Sequence, residues 1–322
     1  MNKFVSSLLG AFTGTWIAFF VIGIFIFFSG IAMISSLASS TISPIATIGD
    51  NAILRIDLSG SITDKPYNKS LQELVNNDGN ASNLYEILGA IDHASTDSNI
   101  KGIYINCDGA GMGVASATAI RNALISFKKK SGKWIYAYGN DIAQGDYYAA
   151  SVADKIFLNP AGALDIHGLT SSILFYKGLL DKMDLQPEVI RHGEFKAAVE
   201  PFITDRMSPA NRLQMERLLG SIWGHVVQNV ASARGIDSTD LQRYASELTL
   251  ADGESAVRTK MVDSLAYAAD MERMLCERTG ADDEPRYVSL AEYVDQPKEP
   301  IKKLSKNHIA VVYAEGQIVD GK

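Results

Sequence analysis

IKGIYINCDGAGMGVASATAIRNALISFKKKSGKWIYAYG, residues 100–139, contains a complete strand–helix–strand pattern. Residues 100–106 are predicted to form a buried strand and 133–139 the next strand. Between them, 114–130 has helical spacing, with Ile120, Leu124 and Phe127 on one face. Two strands joined through a helix by short connections lie parallel in one sheet. The stretch therefore predicts an α/β domain whose sheet is mostly parallel.

The same alternation continues on both sides of this stretch. Upstream, AILRIDLSGSI alternates as a strand does, and Asn83 with Glu86 predicts the start of a helix over 83–95. Downstream, the predicted order is helix (QGDYYAASVA), strand (KIFLN), helix (FYKGLLDKMD) and strand (PEVIR). Ser208 and Pro209 then begin a long helix that Gly235 ends. The α/β domain is expected to cover 51–300.

Composition and charge exclude several classes of function. The chain has 322 residues, 47% of them hydrophobic, which suits about two domains. A formal charge of -7 and the lack of a zinc-knuckle or helix-turn-helix pattern argue against a nucleic-acid partner. Cys107 and Cys276 stand far apart, and the histidines show no HxxxH or HExxH spacing, so neither a metal nor another cofactor is expected. The two cysteines could pair or stay as thiols. The histidines are His93, His167, His192, His225 and His308.

The N-terminal segment is apolar enough for a membrane. No charged residue lies between Lys3 and Asp50, and 16–34 would span a hydrocarbon core of about 30 Å. A cleavable signal peptide is the alternative, with a cleavage site after Ala38. We expect a retained anchor over 1–40 and a tether over 41–50. The charge of Lys3 predicts a cytoplasmic N-terminus, and hence an inner-membrane protein with a periplasmic soluble domain.

The end of the chain resembles the start of the α/β domain. NHIAVVYAEGQIVD (307–320) matches NAILRIDLSGSITD (51–64) at five of 14 positions, and each follows a linker. Internal repeats of this kind indicate duplicated structural units. Residues 301–322 are therefore interpreted as a linker and the first strand of a second, truncated copy of the domain.

Gly109, Gly111 and Gly113 follow the strand at 100–106 and precede a helix. Backbone N–H groups at a helix N-terminus suit a phosphate or an oxyanion. Val114 breaks the GxGxxG pattern of dinucleotide-binding proteins. A tight turn with close strand–helix packing explains the glycines equally well.

Lys196 is the candidate catalytic residue. In RHGEFKAAVEPF (191–202) it has Phe195 on one side and Ala197, Ala198 and Val199 on the other. A lysine that acts as a general base must be neutral, and desolvation by apolar neighbours lowers an amine's pKa. We expect such an environment around Lys196, completed by another wall that closes over the small residues. No GxSxG motif supplies a nucleophile.

Three stretches together resemble one known family. RHGEFKAAVEPFITDRMSPANR, QGDYYAASVADKIFLNPAGALDIHG and FYKGLLDKMDLQPEV are similar to the N-terminal half of membrane-anchored signal peptide peptidases of the SppA, or protease IV, type. The resemblance covers most of 51–320. It implies tandem crotonase-like (ClpP-like) domains, a homo-tetramer, and a Ser–Lys peptidase that degrades cleaved signal peptides or other short peptides beside membrane lipid. Lys196 matches the family's lysine.

The resemblance also implies where the serine lies. In the family the nucleophile stands in a Ser-Gly-Gly-Tyr turn of the second domain, and Gln144 occupies the matching place in DIAQGDYYAAS here. The repeat offset then predicts the serine at roughly position 400 of a longer parent, within about 20 residues. This chain alone is expected to be inactive.

Two other functions stay open on the sequence. A crotonase-like acyl-CoA enzyme would use the glycine turn as an oxyanion hole, but its predicted place outside the cytoplasm separates it from CoA. A non-catalytic membrane-bound ring that organises partners is the second alternative. The presence or absence of the serine turn in a longer parent separates it from a peptidase.

Overall fold

The computed structural model describes residues 10, 12–29, 48–58, 62, 83–109, 112–294, 310 and 312. The chain divides into two compact units, Met1–Thr47 and Ile48–Lys322. The linker and repeat proposed over 301–322 lie outside the described residues, apart from positions 310 and 312.

The first unit contains helix α1, Phe12–Ser29. Its 18 residues have a mean hydropathy of 2.0, and its apolar side chains are exposed. The helix is long and apolar enough to cross a membrane, and an N-terminal signal sequence would have the same properties.

A six-stranded parallel sheet forms the centre of the second unit. Its order is β7-β5-β3-β2-β1-β8, and a separate two-stranded sheet pairs β4 with β6. In chain order the strands are β1 Ala52–Asp57, β2 Ile100–Asn106, β3 Trp134–Gly139, β4 Ile142–Ala143, β5 Lys155–Leu158, β6 Leu164–Asp165, β7 Ser264–Leu265 and β8 Tyr287–Ser289. The predicted α/β class with a mostly parallel sheet is confirmed.

Ten helices of the described residues surround the sheets. They are α2 Leu84–Ala94, α3 Val114–Ser131, α4 Gln144–Ala150, α5 Lys177–Lys182, α6 Glu200–Ile203, α7 Pro209–Arg234, α8 Ser238–Glu247, α9 Gly253–Arg258, α10 Ala268–Thr279 and α11 Leu290–Val294. The order agrees with the sequence prediction along most of 83–234.

Apolar side chains cover both faces of the six-stranded sheet. On one face, Ile87 of α2 and Leu124 of α3 belong to the main core together with the last turns of α7. On the other face, Met271 and Leu275 of α10 pack in a smaller cluster with Ile53 of β1. Burial of one such aliphatic side chain contributes roughly 1.5–3 kcal/mol. Near-continuous burial of β1 and β2 follows from this two-sided packing.

The ends of α7 are the ones that the sequence predicts. The Ser208 hydroxyl accepts a hydrogen bond from the Asn211 N–H at 3.2 Å, and Pro209 is the first helical residue. At the other end, Gly235 has a φ of +64° and closes the helix in the left-handed conformation. The result is a 26-residue helix with a fixed starting point.

The strand predicted for PEVIR (187–191) is wrong. These residues form no strand, and Ile190 is 104% exposed. The edge strands of the six-stranded sheet, β7 and β8, take no partner from this segment. An alternating apolar pattern becomes a strand only when a neighbouring backbone pairs with it, and no such neighbour lies among the described residues.

Candidate functional site

Lys196 lies in the loop that leads into α6 and then α7. We call residues 191–200 the lysine loop. Lys196 is exposed, and its Nζ makes no hydrogen bond or ion pair with any residue that the structure describes. Phe195 is 52% exposed. The expected burial of Lys196 is therefore not provided by the residues that the structure describes, because its neighbours in sequence lie on an open loop.

An open groove of about 660 Å³ contains Lys196 in its wall. Most of the lining is apolar, and the positively charged side chains are Lys196 and Arg191. The apolar members from outside the loop include Ile173, before α5, and Met215, on α7. A cleft with an apolar lining and an amine that no described residue contacts suits an apolar ligand that presents a polar group to the amine.

The backbone of Lys196 is held on both sides. Its N–H donates to the carbonyl oxygen of Gly193 at 3.4 Å. Its carbonyl oxygen accepts a hydrogen bond from Arg191 Nη1 at 3.2 Å. The loop is thus closed on itself by one long and one ordinary hydrogen bond, and the side chain of Lys196 is left to the groove.

Glu200 anchors the end of the lysine loop. Its side chain is 2% exposed, and its Oε2 accepts hydrogen bonds from the Ser208 N–H at 3.2 Å and from Asn211 Nδ2 at 3.0 Å. Arg191 Nη1 lies 3.8 Å from Glu200 Oε1. Hydrogen bonding by Ser208 is the largest cause that holds the pKa of Glu200 below its ordinary value, and Asn211 and Arg191 add to it against the opposing effect of burial.

The side chain of Gln144 holds a second turn, at residues 167–168. Its Oε1 accepts hydrogen bonds from the N–H groups of His167 at 3.1 Å and Gly168 at 2.9 Å. Its Nε2 donates to the carbonyl oxygen of Gly168 at 3.1 Å. Gln144 is the first residue of α4 and is half-buried, so this amide ties α4 to the turn that follows β6.

The glycine turn after β2 is closely packed. A Cβ on Gly109 would collide with the carbonyl oxygen of Leu58, whereas a Cβ on Gly113 would meet nothing within 4 Å. Gly145 likewise has no room for a side chain, because the backbone of Met112 approaches it. The packing explanation is therefore the one that the geometry of Gly109 supports. Gly111 lies outside the described residues.

The histidines and cysteines form no common site in the described part of the chain. No group of three or more His, Cys, Asp or Glu side chains there could hold a metal ion. Cys107 and Cys276 are both buried and free, and burial raises the pKa of each thiol. His192 lies in the groove wall, His93 stacks on an aromatic ring, and His308 falls outside the described residues.

Sequence reasoning missed the roles of Arg191, Glu200 and Asn211. Only the Ser208 cap could be recognised from the local pattern. The hydrogen bond from Asn211 to Glu200 spans 11 positions, and that from Arg191 to Lys196 spans five, within a loop of no regular period. No periodic signal could identify such partners.

The comparisons with known proteins agree with this fold. A model of peptidase family S49 matches residues 127–281. Protease 4 of Salmonella typhi is 37% identical over 84% of this chain and 46% of its own length. Protease 4 of Haemophilus influenzae is 32% identical over 74% of this chain and 40% of its own length.

More distant relatives carry related names. A putative signal peptide peptidase SppA of Enterococcus faecium is 25% identical over 69% of this chain and 66% of its own length. The chain spans less than half of the two protease 4 sequences. These matches, and the ClpP-like α/β fold of the S49 domain, show that the chain belongs to the SppA or protease 4 family of S49 peptidases.

Proposed function

We propose that this chain contributes Lys196 as the general base of a Ser–Lys peptidase whose serine lies in another part of a longer protein. The observation that carries the proposal is the amine of Lys196, which has no partner among the described residues and lies in the wall of an apolar groove. The family membership supports a peptidase, and the lysine-only contribution is our own inference.

The proton transfers follow from ordinary Ser–Lys chemistry. The neutral amine of Lys196 takes the proton of the serine hydroxyl while the serine oxygen bonds to the peptide carbonyl carbon. The resulting ammonium then gives that proton to the leaving amine as the C–N bond breaks. In the second half, Lys196 takes a proton from water, the hydroxide attacks the acyl-enzyme, and the proton returns to the serine oxygen as the ester bond breaks.

The serine is proposed for a second domain because Gln144 stands at the matching place in this one. The Gln144 amide makes three hydrogen bonds to the backbone of 167–168, so it acts as a structural residue here. The predicted serine at roughly position 400 lies beyond this sequence. The domain that carries the serine would also cover Lys196, which the described residues of this chain leave exposed.

The proposed substrates are cleaved signal peptides or other short apolar peptides. The apolar lining of the groove suits apolar side chains, and α1 would hold the protein at the membrane in which such peptides remain. A single-pass inner-membrane protein with a cytoplasmic N-terminus and a periplasmic domain, assembled as a homo-tetramer, is the arrangement that we propose.

The test compares the longer protein with this chain. In the longer protein, Lys196→Ala should lower kcat for a fluorogenic apolar peptide by about 10³-fold or more. Lys182→Ala changes an exposed lysine of α5 and is the matched control, with activity expected to stay at the wild-type level. Chain 1–322 alone should neither hydrolyse the peptide nor react with a fluorophosphonate serine probe. Hydrolysis by 1–322, or full activity of Lys196→Ala, would refute the proposal.

A further inference from the structure

Glu200 is a buried carboxylate that the proposed proton transfers do not use. An ionised carboxylate that is removed from water is costly unless hydrogen bonds and an opposite charge compensate it. Here Ser208, Asn211 and Arg191 supply those contacts. Because Ser208 is the N-cap of α7, Glu200 is fixed to the starting point of a 26-residue helix.

Arg191 connects Glu200 to Lys196. The same Nη1 atom lies 3.8 Å from Glu200 Oε1 and donates to the carbonyl oxygen of Lys196 at 3.2 Å. The guanidinium therefore links the end of the lysine loop to its middle. Glu200, at the end, is buried, whereas Lys196, in the middle, is exposed.

Gly193 completes the constraint on the loop. Its φ of +106° is a conformation that L side chains rarely adopt, and its carbonyl oxygen accepts the N–H of Lys196. The chain thus turns at Gly193, and the hydrogen bond from Arg191 to the carbonyl oxygen of Lys196 closes the loop. A flexible lysine side chain begins from a backbone position that is held from both directions.

We infer that Glu200 is a positioning residue for the proposed base Lys196 and that it acts through the guanidinium of Arg191. The inference rests on the proposed function. An amine must sit within hydrogen-bond reach of the serine hydroxyl, and a displacement of about 1 Å can cost about 100-fold in rate. Holding the backbone of Lys196 reduces the positions that its long side chain samples.

A simple capping role for Glu200 is the competing explanation, because Ser208 and Asn211 belong to the first turn of α7. Capping alone would change the stability of the helix and leave the lysine loop unaffected. The two explanations differ in whether the loop at 191–199 and the value of kcat respond to the loss of the Glu200 charge.

The first experiment measures the loop in chain 1–322 in detergent. Glu200→Gln keeps the size and an acceptor oxygen and removes the charge that holds Arg191. Glu194→Gln removes an equal charge from an exposed position two residues before Lys196 and is the matched control. Amide hydrogen exchange within 191–199 should become about tenfold faster in Glu200→Gln and stay at the wild-type rate in Glu194→Gln.

The second experiment measures peptide hydrolysis by the longer protein. Glu200→Gln should lower kcat by about 10- to 100-fold and leave KM within about twofold, because the lysine and not the groove is displaced. Arg191→Ala should lower kcat by a similar factor and should also change KM, because Arg191 lines the groove, and Arg191→Lys, which keeps a charged donor, should retain more of the activity. Arg191 is partly exposed, so its variants test the inference even where Glu200→Gln folds poorly.

The outcomes separate this inference from the proposed function. If Lys196→Ala is inactive while Glu200→Gln and Arg191→Ala keep wild-type kcat, the positioning role is refuted and the proposed base stands. If Glu200→Gln lowers the melting temperature without faster loop exchange or lower kcat, the role is capping alone and the inference is refuted. Full activity of Lys196→Ala refutes both.

Discussion

Gln144 and Gly168 form a reciprocal pair of hydrogen bonds. The Gly168 N–H donates to Gln144 Oε1 at 2.9 Å, and Gln144 Nε2 donates to the Gly168 carbonyl oxygen at 3.1 Å. The oxygen and the nitrogen of the Gln144 amide thus bond to the N–H and the carbonyl oxygen of the same residue. A serine at this position is too short to make the same two bonds. The position that matches the serine of the family is therefore occupied here by an amide with a structural role.

Replacing Gln144 tests this assignment. Gln144→Ser should lower the free energy of unfolding of chain 1–322 by about 1–2 kcal/mol, because the N–H groups of His167 and Gly168 lose their acceptor. Gln144→Glu keeps that acceptor and loses only the donor to Gly168, so it should be destabilised less. Denaturant unfolding followed by circular dichroism measures both. Wild-type stability of Gln144→Ser, or its labelling by a fluorophosphonate probe, would contradict the structural assignment.

The glycine turn gives a matched pair of variants. Gly109→Ala should be destabilised by about 1–3 kcal/mol, because its Cβ would collide with the carbonyl oxygen of Leu58 and the backbone would have to move. Gly113→Ala should change the stability by less than about 1 kcal/mol, because its φ is -64° and the space is open, so that only the poorer capping by alanine at the start of α3 opposes it. Thermal or denaturant unfolding of both proteins checks this difference. Equal stabilities would show that the turn does not depend on close packing at Gly109.

The pKa of Glu200 predicts a response of the lysine loop to acid. Because the folded-state pKa lies below the ordinary value of about 4.5, the carboxylate stabilises the native state above that value. This contribution is lost as the pH falls through the folded-state pKa. Hydrogen exchange within 191–203 should therefore speed up between about pH 6 and about pH 3 more in the wild type than in Glu200→Gln, after correction for intrinsic exchange rates.

Two other carboxylates with lowered pKa values titrate in the same pH range, and the Glu200→Gln variant controls for their effects. Asp237 and Asp252 also have pKa values below the ordinary range, because they cap α8 and α9 through hydrogen bonds to Thr239 and Ser255. They titrate in the wild type and in Glu200→Gln alike, so their effects appear in both proteins. An identical acid response of the loop in the two proteins would show that Glu200 does not link the loop to pH.

Periodic patterns made most of the sheet and its helices predictable from the sequence. The alternation of buried strands and helices over 83–159, and the Ser208 and Gly235 ends of α7, depend on local burial and capping. PEVIR was predicted wrongly because an alternating pattern does not reveal whether a partner strand exists. Pairing is a tertiary property, and Ile190 shows that it is missing for this segment in the described chain.

Within the candidate site, the sequence points to Lys196 alone, through its apolar neighbours and through the family resemblance. The contacts that hold its loop join Arg191, Glu200 and Asn211 in three dimensions and leave no periodic trace in the sequence. The sequence predicts a buried setting for Lys196, whereas the described residues leave it exposed in the wall of a mostly apolar groove. Neighbours in sequence bury a side chain only when the fold places another surface above them, and no described residue does so for Lys196.

The apolar side chains of 174–190 have a consequence for handling the chain. Leu174, Leu179 and Met183 are 71%, 57% and 58% exposed, and Ile190 has no cover at all. Open apolar surface of this kind adheres to other apolar surface in proportion to its area. Purified molecules are therefore expected to adhere to one another through this surface, so dilution, mild detergent and low temperature should govern the yield of soluble material more than the intrinsic stability of the α/β core.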